Sequence, residues 1–241
     1  MNAAYTDYQK HYTLDARFIV EPERMGVGEH AIEKRRIQAI VREARSERTS
    51  RALDVGCGAG WLAEELARQG PRVYALDLSR GGVQGARRRF GLPAGFLVGD
   101  AYQLPFCTSS FELVVLSEVL EHLQEPSRAL LEVHRVLRSQ GRVIISVPYR
   151  EKIRWYLCIH CNQPTPANAH LHSFDIQALS DLVHAGGFRV ARTRRLSSKM
   201  LETLGLTRLT RSLPYFIWRG VDSLLSAVSD KSHFLCLVCR K

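Results

Sequence analysis

Short apolar runs alternate with amphipathic stretches from residue 51 to residue 147. Runs such as 52–55, 73–76, 113–116 and 143–147 are near-continuously apolar, as expected of strands covered on both faces. The spacing predicts strands over 51–55, 72–76, 95–98, 112–116 and 142–147, with helices over 61–69, 79–90 and 126–138. Strands alternating with helices make an α/β fold, a parallel sheet with helices on both faces. Ahead of this block, residues 29–45 place Ile32, Ile37, Ile40 and Val41 at helical spacing, with Lys34, Arg35 and Arg36 on the exterior. One of these arginines could still neutralise a ligand's carboxylate. Residues 1–30, with tyrosines at 5, 8 and 12, follow no single period and read as a cap, in which Tyr12 and Arg17 either pack or contact ligand. Downstream, 176–185 is a helix stopped by Gly186-Gly187, and 188–192 and 233–239 are strands. The organisation expected is a cap and first helix over 1–48, then one domain over 49–241.

The first strand runs into Gly56, Gly58 and Gly60, and a helix follows at once. Glycines accept backbone angles that side chains forbid and let a ligand approach the main chain. The helix behind them presents unpaired amides. The next strand ends in Asp77, where an acid can accept both hydroxyls of a ribose. Strand, glycine turn, helix and acid in this order point to a nucleoside-containing cofactor.

Bulk properties narrow this little. The chain has 241 residues, a net charge of +10 and an ordinary balance of apolar and charged residues. The positive charge suits nucleic acid, anionic lipid or an acidic small substrate, but the basic residues are scattered and no RNA-binding motif accompanies them. Met1 to His11 lacks an apolar signal core and no long apolar span occurs, so a cytoplasmic location is expected. Six cysteines do not make a disulfide framework in that setting.

The string Leu53-Asp54-Val55-Gly56-Cys57-Gly58-Ala59-Gly60 resembles the first motif of the class I S-adenosylmethionine-dependent methyltransferases, of the type 11 kind. Ala75 to Ser79, Gly99 to Phe106, Phe111 to Val115 and Glu132 to Val147 are similar to later family segments, in the family's order. The resemblance implies a seven-stranded Rossmann-like sheet with an antiparallel hairpin at one edge, and S-adenosylmethionine as cofactor. It implies roles for residues as well. The turn (Gly56, Cys57, Gly58, Gly60) would direct its amides to the methionine part, with Asp54 holding the turn. Asp77 would take the ribose and Leu78 would pack on adenine. Asp100 and Ala101 would pair with the adenine ring, and the backbone at Ser117 and Glu118 would hold the cofactor's amino end. Ser117 to Leu123 resembles a family segment facing the transferred methyl, in which His122 is either a base or an orienting contact. The turn Ser139-Gln140-Gly141 departs from the family's Pro-Gly-Gly.

Residues 155–175 leave two readings open. Cys158 and Cys161, with His170 and His172, can ligate one structural zinc. Relatives without such cysteines carry a similar histidine segment beside the acceptor pocket, which makes His170 a catalytic candidate. Cys236 and Cys239 sit three apart on a strand and face opposite ways, so they do not chelate together. The insertion 196–231 intersperses leucines and aromatics with Lys199, Arg208, Arg211 and Arg219. It reads as a helical cap on its own core, a lid, a dimer contact or a membrane-interface segment. The activity expected is methyl transfer to a small-molecule or lipid-like acceptor, by direct displacement. RNA methylation and a non-catalytic cofactor-binding regulator are the alternatives.

Overall fold

The computed structural model describes residues 7–15, 25–46, 49–90, 95–206, 210 and 212–241. Tyr5, Arg17, Arg208, Leu209 and Arg211 lie outside the described residues. The helices are α1 (Tyr8–Asp15), α2 (Val27–Ala44), α3 (Trp61–Ala67), α4 (Arg80–Arg89), α5 (Pro126–Val136), α6 (Ile176–Ala185), α7 (Lys199–Thr203) and α8 (Tyr215–Val228). The strands are β1 (Arg51–Val55), β2 (Arg72–Asp77), β3 (Phe96–Val98), β4 (Phe111–Ser117), β5 (Leu137–Pro148), β6 (Trp155–Leu157), β7 (Pro164–Pro166), β8 (Arg189–Ser198) and β9 (Ser232–Arg240).

Seven strands form one sheet in the order β3-β2-β1-β4-β5-β9-β8, and β6 pairs with β7 in a separate hairpin. The strands β3, β2, β1, β4 and β5 are mutually parallel, while β9 runs antiparallel to both β5 and β8. Alternate residues of each strand feed opposite cores. Leu53, Val55, Val114 and Leu116 join one with α5 and α6, and Ala52, Leu113, Val115 and Ile144 join the other with α2, α3 and α4. Each fully buried valine, leucine or isoleucine among them contributes roughly 1.5–3 kcal/mol, so burial on both faces fixes the register. Cys236 and Cys239 enter opposite cores, in keeping with their spacing.

The register also positions the site. Val55 pairs with Leu76 on one side and Leu116 on the other, and Asp77 pairs with Val98. The carboxyl ends of β1 to β4 therefore share one edge, with the reversal of strand order between β1 and β4. Ligands of open α/β sheets bind at such a point.

Three local features differ from expectation. The helix predicted to 138 stops at Val136, and β5 begins directly at Leu137, pairing with Phe111. Ser139-Gln140-Gly141 is thus an irregularity within a strand rather than a free turn. Gln140 has φ 63°, and a Cβ on Gly141 would sit 2.8 Å from the Arg138 carbonyl. Strand β8 continues to Ser198, well past the predicted 192. There Asp222 of α8, fully buried, accepts from the Ser197 and Ser198 amides and from the Arg219 guanidinium. This clamp fastens α8 along the outer strand. The insertion's two ends meet, since the Lys199 amide donates to the Lys231 carbonyl at 2.9 Å.

Candidate functional site

The glycine turn closes tightly behind β1. Gly56, Gly58 and Gly60 have φ of +75°, +48° and +85°, a region that favours glycine. A Cβ on Gly56 would lie 2.5 Å from a Val119 methyl, and one on Gly60 would lie 2.9 Å from the Phe96 ring. A Cβ on Gly58 would meet nothing within 4 Å, because that position faces an open cleft. The turn's amides have partners within the protein. Gly56 and Cys57 donate to the Leu76 carbonyl, Gly58 donates to Asp77, and Gly60 donates to the Cys57 carbonyl. Enclosed backbone donors need partners, and here β2 supplies them for Gly56, Cys57 and Gly58. Asp54 is buried behind the turn, where the Ala63 amide in the first turn of α3 favours its charged form.

Two cavities flank the turn, and Gly56 and Gly58 line both. The larger, about 300 Å³, is walled by Tyr8, Asp77, Leu78, Asp100, Ala101 and His122, among others. Asp77 is oriented by the amides of Gly58 and Ser79, each at 2.8 Å. Asp100 accepts from the Tyr102 amide at 2.9 Å and from the Tyr8 hydroxyl at 2.5 Å. Tyr12, expected either to pack or to contact ligand, donates to the His122 carbonyl at 3.0 Å and sets its ring edge-on to the imidazole. Helix α1 thus forms one wall of this cavity.

The smaller cavity, about 190 Å³, is lined by Arg36, Asp54, Cys57, Trp61 and Ser117. Arg36 is buried, contrary to the exterior position predicted for it, and Arg35 is buried too; Lys34 alone of the three is exposed. Burial opposes the charge on Arg36, but Glu33, Glu118 and Glu121 outweigh it and hold the guanidinium above its ordinary value. Arg36 also donates to the Ser117 hydroxyl, which contacts Ser146 at 3.0 Å. Asp54 is 1% exposed and one of its oxygens has no hydrogen-bond partner. Burial, with the nearby charge of Asp77, raises it to about 7. Glu118, at φ 57°, accepts from Ser146 and is raised to about 7 by burial, which outweighs Arg36.

Beyond Glu118 the chain places a second group of titratable side chains. Glu121 is 1% exposed with neither carboxylate oxygen hydrogen-bonded, and burial together with Glu118 pushes it well above the usual carboxylate range. His122 is lowered to about 4 by burial and by the adjacent His170. The two imidazoles meet edge-to-face with centroids 4.6 Å apart, and His170 Nδ1 pairs with Glu151. Among the described residues, donor atoms of Glu121, His122 and His170 come within 4.8 Å of one another.

The expected zinc set does not assemble. Cys158 and Cys161 lie at the tip of the β6–β7 hairpin, and His172 Nε2 contacts the Leu123 carbonyl. Among the described residues, no cysteine belongs to a group whose donor atoms converge. The C-x-x-C spacing survives as a local turn, in which the Asn162 amide donates to the Cys158 carbonyl.

Tyr8, Glu121 and Glu151 join the site without a role expected from the sequence, and Arg36 lies inside rather than outside. Glu121 stands within the segment from Ser117 to Leu123. Glu151 and Tyr8 had no sequence signal, since their partners lie 19 and 92 positions away.

Comparison with known proteins places this geometry in context. A family model described as a methyltransferase domain matches residues 53–145. A demethylmenaquinone methyltransferase of Clavibacter sepedonicus is 31% identical over 172 residues, covering 61% of this chain and 69% of that one. Another, from Renibacterium salmoninarum, is 40% identical over 97 residues, 40% of each chain. The matches with the first curated relatives span only 20% to 40% of those proteins' lengths. Among solved structures, the chain is similar to the Burkholderia thailandensis 1,6-didemethyltoxoflavin-N1-methyltransferase with bound 1,6-didemethyltoxoflavin and S-adenosylhomocysteine. That likeness has a TM-score of 0.64 at 20% identity and covers 100% of this chain and 93% of that one.

Proposed function

The chain belongs to the class I S-adenosylmethionine-dependent methyltransferases, and from that premise we propose that it methylates a small-molecule or lipid-like acceptor by direct displacement. The relatives named for demethylmenaquinone suggest a ring-bearing, apolar acceptor. The observation that carries the reading is the pair of cavities either side of Gly56 and Gly58, one ending in Asp77 and Asp100 and the other in Arg36.

The residues present fit the cofactor. Asp77 would take the ribose hydroxyls, and Leu78, Asp100 and Ala101 would take the adenine. With the turn's amides engaged elsewhere, the methionine end would be met by Arg36 at its carboxylate and by Ser117, Glu118 and the unpartnered oxygen of Asp54 around its ammonium. When bound, S-adenosylmethionine supplies an electrophilic methyl carbon. Much of the acceleration comes from alignment, since a well-oriented nucleophile is worth roughly 7–11 kcal/mol.

Two histidines divide the remaining work. A group at about 4 is a weak base near neutrality, so His122 is an orienting contact, uncharged beside the reacting atoms. His170, with Nδ1 held by Glu151, keeps Nε2 for the acceptor's proton. As the X–CH3 bond forms, the donor's S–CH3 bond would break with S-adenosylhomocysteine as the leaving group, and the proton of the acceptor's X–H would go to that nitrogen.

Labelled methyl transfer into fractionated lipid, small-molecule and RNA pools tests this. Label in either of the first two is expected. Label confined to RNA overturns the acceptor class, and S-adenosylhomocysteine binding with no transfer to any pool overturns catalysis.

A further inference from the structure

Helix α8 has its apolar side on the outside. Its charged residues, Arg219 and Asp222, pair with each other on the side toward β8, where Asp222 is 0% exposed. The outward positions include Phe216 (71% exposed), Ile217, Val221, Leu224 (67%) and Val228 (76%). Ile217, Val221, Leu224 and Val228 follow one another at four, three and four residues, which aligns them in a stripe along the helix. A continuous exposed stripe of this kind marks a contact surface rather than ordinary scatter.

Cations flank both ends. At the start of α8, Arg42 stacks 4.3 Å from the Tyr215 ring, and exposed Lys34 lines a cavity shared with Tyr215. At its end, Lys199 and Lys231 meet through the backbone, and Arg150 and Arg195 share the single carboxylate of Asp230. Glu202, the other acid here, pairs with His233. Among the described residues, neither Lys199 nor Lys231 has an acidic partner within salt-bridge distance. A second copy packed through this stripe would bring like charges together at both ends, in a chain that already carries +10. An anionic surface would complement them.

We propose that the outer face of α8 is a docking surface for an anionic lipid bilayer, with the stripe entering the interface and the flanking cations meeting lipid headgroups. The sheet register gives the placement meaning. Ser198 pairs with Ser232, and Pro148 pairs with Phe234, so α7 and α8 leave and rejoin the sheet at the edge that carries the cleft. Tyr149 and Arg150, bound to Asp230 just past α8, directly precede Glu151, the partner of His170. Docking through α8 thus brings the acceptor side of the site toward the bilayer. The surface stands whether or not the acceptor is itself a lipid.

Co-sedimentation with phosphatidylglycerol/phosphatidylcholine vesicles, against phosphatidylcholine alone, tests the proposal. Binding to the anionic vesicles is expected at low salt, weakening several-fold as ionic strength rises toward about 0.5 M. Leu224→Glu/Val228→Glu should weaken it roughly 10- to 100-fold while leaving calorimetric binding of S-adenosylhomocysteine unchanged. Hydrogen exchange on the unmodified chain is independent of the variant's folding, and vesicles should protect residues 215–228. No binding, binding indifferent to the double substitution, or no protection of α8 each overturns the proposal. A dimer dissolved by the substitution, without vesicle binding, assigns the face to a second copy instead.

Discussion

The Tyr8 hydroxyl lies 2.5 Å from Asp100 Oδ2, across 92 positions of sequence, and joins α1 to the carboxyl end of β3. The Tyr8 ring also meets Tyr102 edge-to-face, with centroids 5.6 Å apart. One wall of the larger cavity is therefore held shut by a contact to the residue assigned to the adenine.

Tyr8→Phe keeps the ring and removes that bond. A hydrogen bond to a charged acceptor contributes about 1.5–3 kcal/mol, so S-adenosylhomocysteine should bind roughly 10- to 100-fold more weakly. Amides of α1 should exchange faster. Calorimetry and hydrogen exchange check the two effects, and unchanged values for both would separate α1 from the site.

Gly56 and Gly58 should respond differently to alanine. Both substitutions strain a positive φ, but only at Gly56 does the new methyl also strike Val119, at 2.5 Å. Gly56→Ala should cost about 2–4 kcal/mol from strain and overpacking, and Gly58→Ala about 1 kcal/mol. Urea denaturation should rank them in that order. Cofactor binding should fall for Gly58→Ala as well, since its methyl would project into the cleft.

Asp54 gives a pH signature. Its folded value of about 7 exceeds its ordinary value of 3.8, so between these the folded chain binds more protons than the unfolded one. The stability this group contributes is complete below its unfolded value and is lost as pH rises through the folded one. His122 acts in the opposite sense between about 4 and 6.5, where stability rises with pH. The difference between the native chain and Asp54→Asn isolates the first effect. From pH 5 the variant should gain on the native chain, at up to about 1.4 kcal/mol per unit until pH nears the folded value of about 7, and should gain no more above it.

Glu151→Gln should act through His170. The glutamine can still hydrogen-bond the imidazole but carries no charge to offset a proton gained at Nε2. Turnover should fall roughly 10- to 100-fold, with S-adenosylhomocysteine affinity unaltered by calorimetry. An unchanged kcat would remove the Glu151–His170 pair from proton transfer.

The sheet was legible because its evidence is local. Apolar runs at 52–55, 113–116 and 143–147 can only be buried on both faces; Asp77 follows such a run directly, and Asp100 follows one after a single glycine. The polar interior was less accessible. Arg36 sits beside Glu33, which a helix brings near, but its other partners, Ser117, Glu118 and Ser146, come from two strand ends that meet only in the folded sheet. A helical pattern that puts isoleucines inside assigns the adjacent arginines outside by default. The zinc expectation failed for a related reason. Spacing brings Cys158 near Cys161, whereas the direction of the His170 and His172 rings is set by Glu151 and Leu123.

The meeting of Lys199 and Lys231 has a consequence for how such a chain could diversify. Because the excursion from β8 to β9 begins and ends at touching backbone positions, it behaves as a cassette that a short hairpin could replace without moving either strand. Changes of cellular address can then accumulate in the cassette while the chemistry beneath it is inherited intact.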